Sequence, residues 1–136
     1  MENSIVLVLV VEDDPLIRLL VEDTLSDGGF QAEIAPSAER AMTLLDAPAA
    51  PYRALLTDID LGSGKPTGWD VARHARTQFP TLPVVYITGN SAADWASMGV
   101  PNSVLVMKPF APAQLVTAVS QLLNAVPPPV DDAGPR

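Results

Sequence analysis

The chain has 136 residues, 16 acids against 8 lysines and arginines for a formal charge of −8, and 48% hydrophobic residues. That length suits one domain with a substantial core, and the acidic balance argues against nucleic acid or an anionic membrane surface as a direct partner. The lack of cysteine excludes disulfides, thiol catalysis and thiolate metal sites, and a single histidine excludes multi-histidine metal centres. The apolar run after Ser4 is too short to cross a membrane, and Glu2 ahead of it is not the cationic start of a secretion leader. A cytoplasmic location is expected.

In chain order, "IVLVLVV" (5–11) is continuous and β-branched, as in a strand buried on both faces. Leu16, Ile17, Leu20, Val21, Thr24 and Leu25 then share one helical face, with Pro15 suited to the first turn and Gly28–Gly29 to the stop. "FQAEIA" (30–35) reads as a second strand. Ser37 caps a helix that buries Ala38, Ala41, Met42 and Leu45. "RALLTD" (53–58) is a third strand, and the helix at 68–79 buries Val71, Ala72, Ala75 and Phe79. "LPVVYIT" (82–88) is a fourth strand, followed by a short helix over 91–99. "SVLVMK" (103–108) is a fifth, and the last helix packs through Leu115, Val119 and Leu122. Residues 1–126 form the domain on this reading. The proline- and aspartate-rich stretch 127–136 is expected to be a disordered tail.

Five strands alternating with five helices predict an α/β fold: a five-stranded, parallel, doubly wound sheet in a three-layer flavodoxin-like sandwich. In such sheets ligands gather at the carboxyl ends of the strands. The first strand ends in Glu12–Asp13–Asp14, the third in Asp58, the fourth in Thr88 and the fifth in Lys108. Several ionised carboxylates in one crevice repel, and a hard divalent cation with oxygen ligands relieves that cost. Mg²⁺ (or Mn²⁺) suits a few carboxylates and waters. Carboxylates, Mg²⁺, a lysine and a hydroxyl suit a phosphoryl group, and Asp58 is a candidate nucleophile for an aspartyl phosphate.

"VLVVEDDPLIR", "LLTDIDL", "PVVYITG" and "VMKPF" together resemble the receiver domain of two-component response regulators, over residues 4–125. The resemblance implies that Asp58 is the phosphoacceptor and that Glu12, Asp13, Asp58 and the backbone carbonyl of Asp60 hold Mg²⁺. It further implies that Thr88 is the switch hydroxyl, that Lys108 contacts the phosphoryl group, and that Lys108–Pro109 is a cis peptide. Asp14 falls outside the acidic pair and is read as a helix start. A sensor histidine kinase or histidine phosphotransfer protein would donate the phosphoryl, and a downstream protein would read the changed surface. The domain would stand alone or belong to a hybrid kinase, and homodimerisation stays open.

The chain departs from the family in three places. Leu105 lies where many members carry the Tyr or Phe that reports movement of the hydroxyl. The stretch from Thr88 to Lys108 is shorter than usual, which predicts a short or irregular fourth helix. "DIDLGSGKPTG" is longer than the common loop, with Gly62 where proline is frequent. His74 reads as an exposed side chain. Trp69 and Trp95 read as either partner anchors or packing at a helix start. Two rival functions are a pseudo-receiver that binds partners without phosphorylation and a haloacid-dehalogenase-like phosphatase. The phosphatase places its nucleophile on the first strand and its acidic pair later, the reverse of the order here.

Overall fold

The computed structural model describes residues 5–62 and 65–125; the expected tail and the boundary at residue 126 lie outside the described residues. Within them, β1 (Val6–Val11), α1 (Pro15–Asp27), β2 (Phe30–Ala35), α2 (Ala38–Asp46), β3 (Ala54–Asp58) and α3 (Gly68–Gln78) come first. β4 (Val84–Thr88), α4 (Trp95–Met98), β5 (Ser103–Met107) and α5 (Pro112–Ala125) follow, with a 3₁₀ turn at Ala92–Asp94 leading into α4. The strands form one parallel sheet in the order β2-β1-β3-β4-β5. The order reverses between β1 and β3, so the connections leave on opposite faces there and a crevice opens at their carboxyl ends.

β1 shows why both faces are covered. Val8 and Val10 pack with Val21 and Leu25 of α1 and with Leu115 and Val119 of α5. Leu9 and Val11 point the other way, among Ala41 and Leu45 of α2 and Val71, Ala72 and Ala75 of α3. An unbroken apolar run is therefore what a strand with helices on both sides requires. No helix among the described residues is long and apolar enough to cross a membrane.

One expectation about packing changes. On α1 the face through Ile17, Val21, Thr24 and Leu25 meets the core. Leu16 and Leu20, each displaced by about 100° around the helix, are 76% and 40% exposed. The leucine run is thus wider than the surface it packs on. α4, by contrast, is the short helix that the short connection predicts: a single turn with no buried side chain.

The start of α3 is held unusually tightly. Thr67 and Asp70 form a reciprocal capping box, and the Thr67 backbone N–H holds the Asp70 carboxyl below the usual carboxylate range. Gly68 donates its N–H to Ile59 O at 2.8 Å. A Cβ at Gly68 would overlap the Asp58 carbonyl oxygen and lie 2.7 Å from Ile59 Cα. Because the obstacle is backbone, it has nowhere to go. The helix start is therefore seated against the end of β3.

Gly68→Ala is expected to lose about 3 kcal/mol or more of stability in urea unfolding, as overpacking against main chain does. Asp70→Ala should cost roughly 0.3–1.5 kcal/mol at neutral pH. The sign of its pH dependence follows from the depressed folded-state value: the carboxylate's contribution is present above pH 3.8 and lost as the pH falls below it. The gap between Asp70→Ala and wild type should close in that acid range.

Candidate functional site

The strand-end residues are held by ladder bonds that continue past the strands. Glu12 N donates to Ala35 O at 3.2 Å, Ile59 N to Ile87 O at 3.2 Å and Lys108 N to Thr88 O at 2.8 Å. Glu12, Asp58 and Lys108 are thereby brought to one edge on rigid backbone. The Lys108–Pro109 bond is cis, and so is Lys65–Pro66.

Asp58 is 5% exposed. Its Oδ1 accepts the Ile59 N–H at 2.8 Å and its Oδ2 accepts from Lys108 Nζ at 3.2 Å. Glu12 is 1% exposed. Its Oε2 accepts the Asp14 N–H at 3.1 Å, whereas Oε1, 3.5 Å from Lys108 Nζ, is buried without a hydrogen bond. Asp13 is exposed, and its Oδ2 accepts the Gly62 N–H at 3.0 Å. Carboxylate oxygens of Glu12, Asp13 and Asp58 all lie within 4.8 Å of one another.

Burial pushes the Glu12 carboxyl up to about 7, and the neighbouring Asp58 charge adds to the effect. Burial also raises Asp58, against the opposing pull of the Lys108 ammonium. For Lys108, burial works to lower the value, but Asp58 and Glu12 together outweigh it and hold the ammonium above its ordinary range. Two ionised carboxylates no more than 4.8 Å apart repel by roughly 3.5 kcal/mol or more at an effective dielectric of about 20. One lysine facing three acids leaves that repulsion incompletely offset. The buried, unpartnered Glu12 oxygen and the all-oxygen donor set fit a hard divalent cation, so Glu12, Asp13 and Asp58 could hold Mg²⁺ or Mn²⁺.

Residues 8–120 match the family described as the response regulator receiver domain. The chain belongs to the response-regulator receiver family. A receiver protein from Sinorhizobium medicae is 44% identical, with a TM-score of 0.87 over 91% of this chain and 98% of that one. The receiver domain of NtrX from Brucella abortus is 30% identical, with a TM-score of 0.75 over 87% of this chain and 98% of that chain. The transcriptional regulator AlgB of Pseudomonas putida is 32% identical over 86% of this chain but only 26% of its own length. The chain thus spans about a quarter of the curated relatives it matches. The fold and the two-component signalling class are those of the receiver.

Within this receiver the remaining expected residues are placed as follows. Thr88 is fully buried, and its Oγ accepts the N–H groups of Asn90 at 3.1 Å and Ser91 at 2.8 Å. Asp60 Oδ2 accepts from Ser91 Oγ at 3.5 Å. Asp14 is the N-cap of α1, accepting from Leu16 N and Ile17 N. Leu105 is partly buried, in register with Tyr86 on the next strand. His74 lies at the surface and pairs with Asp46 of α2 at 2.7 Å. Trp69 is packing, with its ring 4.7 Å from that of Tyr86, while Trp95 is 37% exposed and donates to Ser103 Oγ at 3.0 Å.

Two supports were not read from the sequence. Arg18 Nη2 reaches back one helical turn to Asp13 O at 3.0 Å, and the Gly62 N–H occupies an Asp13 oxygen. A basic residue five positions after an acid at a helix start was the available signal for Arg18. Nothing local announces Gly62.

In chelator-treated protein, Mg²⁺ at a hundredfold excess over its dissociation constant should stabilise the fold by about 2.7 kcal/mol. Glu12→Gln should raise the metal-free thermal midpoint, because a neutral amide replaces a crowded carboxylate, and should shrink the Mg²⁺ increment. A lowered midpoint would mean that Lys108 stabilises the charge on Glu12 more than burial and Asp58 oppose it.

Proposed function

We propose that this receiver accepts a phosphoryl group on Asp58 from phosphohistidine on a sensor histidine kinase or histidine phosphotransfer protein. The observation that carries the reading is the Asp58 carboxylate at the tip of β3, with Lys108 Nζ 3.2 Å away and the carboxylates of Glu12 and Asp13 alongside. An Asp58 oxygen attacks phosphorus in line; the new O–P bond forms as the P–N bond breaks, and the imidazole leaves with that electron pair. The Ile59 N–H sets the plane of the carboxylate. Lys108, already charged and desolvated beside Asp58, stays to contact the phosphoryl oxygens. Glu12, Asp13, Asp58 and the Asp60 backbone carbonyl would hold Mg²⁺, which when bound supplies positive charge against those oxygens.

Thr88 is suited to the next event. Its oxygen accepts two backbone N–H groups, so the hydroxyl proton is left to donate to a phosphoryl oxygen. A ligand that prefers one of two arrangements of the β4–α4 connection shifts the population toward it, and a downstream protein reads the result. The product is a changed surface, so the domain acts as a signalling module with only slow loss of its own phosphoryl group. The acceptor set favours this over a pseudo-receiver, and the family match leaves the dehalogenase-type phosphatase without support.

Incubated with Mg²⁺ and acetyl phosphate, wild-type protein should gain one phosphoryl group by intact mass. Chelator should prevent the gain, and Asp58→Asn should abolish it. An unchanged gain in Asp58→Asn, or steady hydrolysis of many phosphomonoesters, would overturn the reading.

A further inference from the structure

β4 carries two buried hydroxyls on one face, Tyr86 and Thr88, two residues apart. They hold opposite ends of the same segment. Thr88 Oγ accepts the N–H groups of Asn90 and Ser91 at its upstream end, and the Tyr86 hydroxyl accepts the Val100 N–H at 3.0 Å at its downstream end. Between them lie the 3₁₀ turn and α4, which bury no side chain. Packing therefore does little to locate this stretch, and its ties must.

The downstream tie has further parts. Ser103 Oγ donates to Val100 O at 2.6 Å and accepts the Trp95 indole N–H at 3.0 Å. The indole lies over Gly99, where a Cβ would be 2.8 Å from Trp95 Nε1. Arg73 donates to Met98 O, and Arg76 to Pro101 O and Asn102 O, but these bonds lie at the surface. The Tyr86–Val100 bond is the buried one. The Tyr86 ring also packs against Trp69 at the start of α3, next to Gly68, which is seated on the Asp58 backbone. Its register partner on β5 is Leu105, which has no polar atom with which to hold anything.

We propose that Tyr86 is the positioning residue that couples the state of Asp58 to α4 in this receiver. The inference rests on Asp58 phosphorylation as read above. When the Thr88 hydroxyl turns to the phosphoryl group and gives up Asn90 and Ser91, the upstream end of the segment is released. The Tyr86 hydroxyl keeps Val100 in place, so the segment turns about a fixed point and does not simply loosen. Trp95, bonded into that fixed point through Ser103, changes environment. The coupling thus runs along β4, through two hydroxyls of one strand, and needs no aromatic side chain on β5.

The test uses ¹⁵N-labelled protein with Mg²⁺, before and after addition of beryllofluoride, and follows the two indole N–H resonances, assigned with Trp95→Phe. Acetyl phosphate and intact mass report phosphoryl acceptance in parallel. In wild type the Trp95 resonance should move to a single new position. Tyr86→Phe, which removes only the hydroxyl, should accept the phosphoryl group as wild type does, lose that shift, and show faster solvent exchange of the Trp95 indole in both states. A purely structural role would lower the thermal midpoint and leave the shift intact, which would overturn the proposal, as would a wild-type Trp95 resonance that stays put on phosphorylation. If wild type takes no phosphoryl group, the functional reading and this inference fail together.

Discussion

One lysine ammonium against two buried carboxylates is the interaction on which the site depends. Lys108 Nζ lies 3.2 Å from Asp58 and 3.5 Å from Glu12, and both acids are almost fully withdrawn from water. Desolvating an ion costs several kcal/mol even after relaxation, so neither acid is tolerable there alone. The lysine offsets part of that cost and leaves the rest as an unmet demand for positive charge. A site left short of cations is one that a divalent metal and a transferring group can enter with gain.

The sheet supplies the rigidity this needs. Glu12, Ile59 and Lys108 each continue the main-chain ladder beyond their strand, so the side chains of Glu12, Asp58 and Lys108 project from backbone with little freedom. The seating of Gly68 on Asp58 and Ile59 extends the constraint to α3. The β4–α4 connection is built on the opposite plan. It buries nothing and hangs from side-chain hydroxyls, the low-stability end of the molecule where a small input changes the population. The rigid acidic site and the loosely held β4–α4 connection thus meet at one central strand.

The fold was legible because the hydrophobic code is redundant in a doubly wound sheet. Each of the unbroken runs in β1, β3 and β4 requires cover on both faces, and only alternating helices provide it. The acids, threonine and lysine at the ends of those runs were legible for the same reason, since strand ends define the edge they share. Leu16 and Leu20 misled because helical periodicity gives the direction of an apolar face and not the width of the surface that meets it. Tyr86 went unread because a tyrosine inside an apolar strand is indistinguishable from core until the Val100 N–H is seen against its hydroxyl.

What the sequence by itself determined is the order of elements and the residue types at each strand tip, because burial and chain direction are local properties of an apolar run. Tertiary structure alone decided the rest. The reversal between β1 and β3 brought Glu12 beside Asp58, far along the chain, and β5 carried Lys108 to the same pair. It also hung α4 from Thr88 and Tyr86. The "TDID" aspartate could be named from its neighbours in sequence. Its charge state and its link to the surface depend on groups far along the chain, and distances between such groups exist only in the folded molecule.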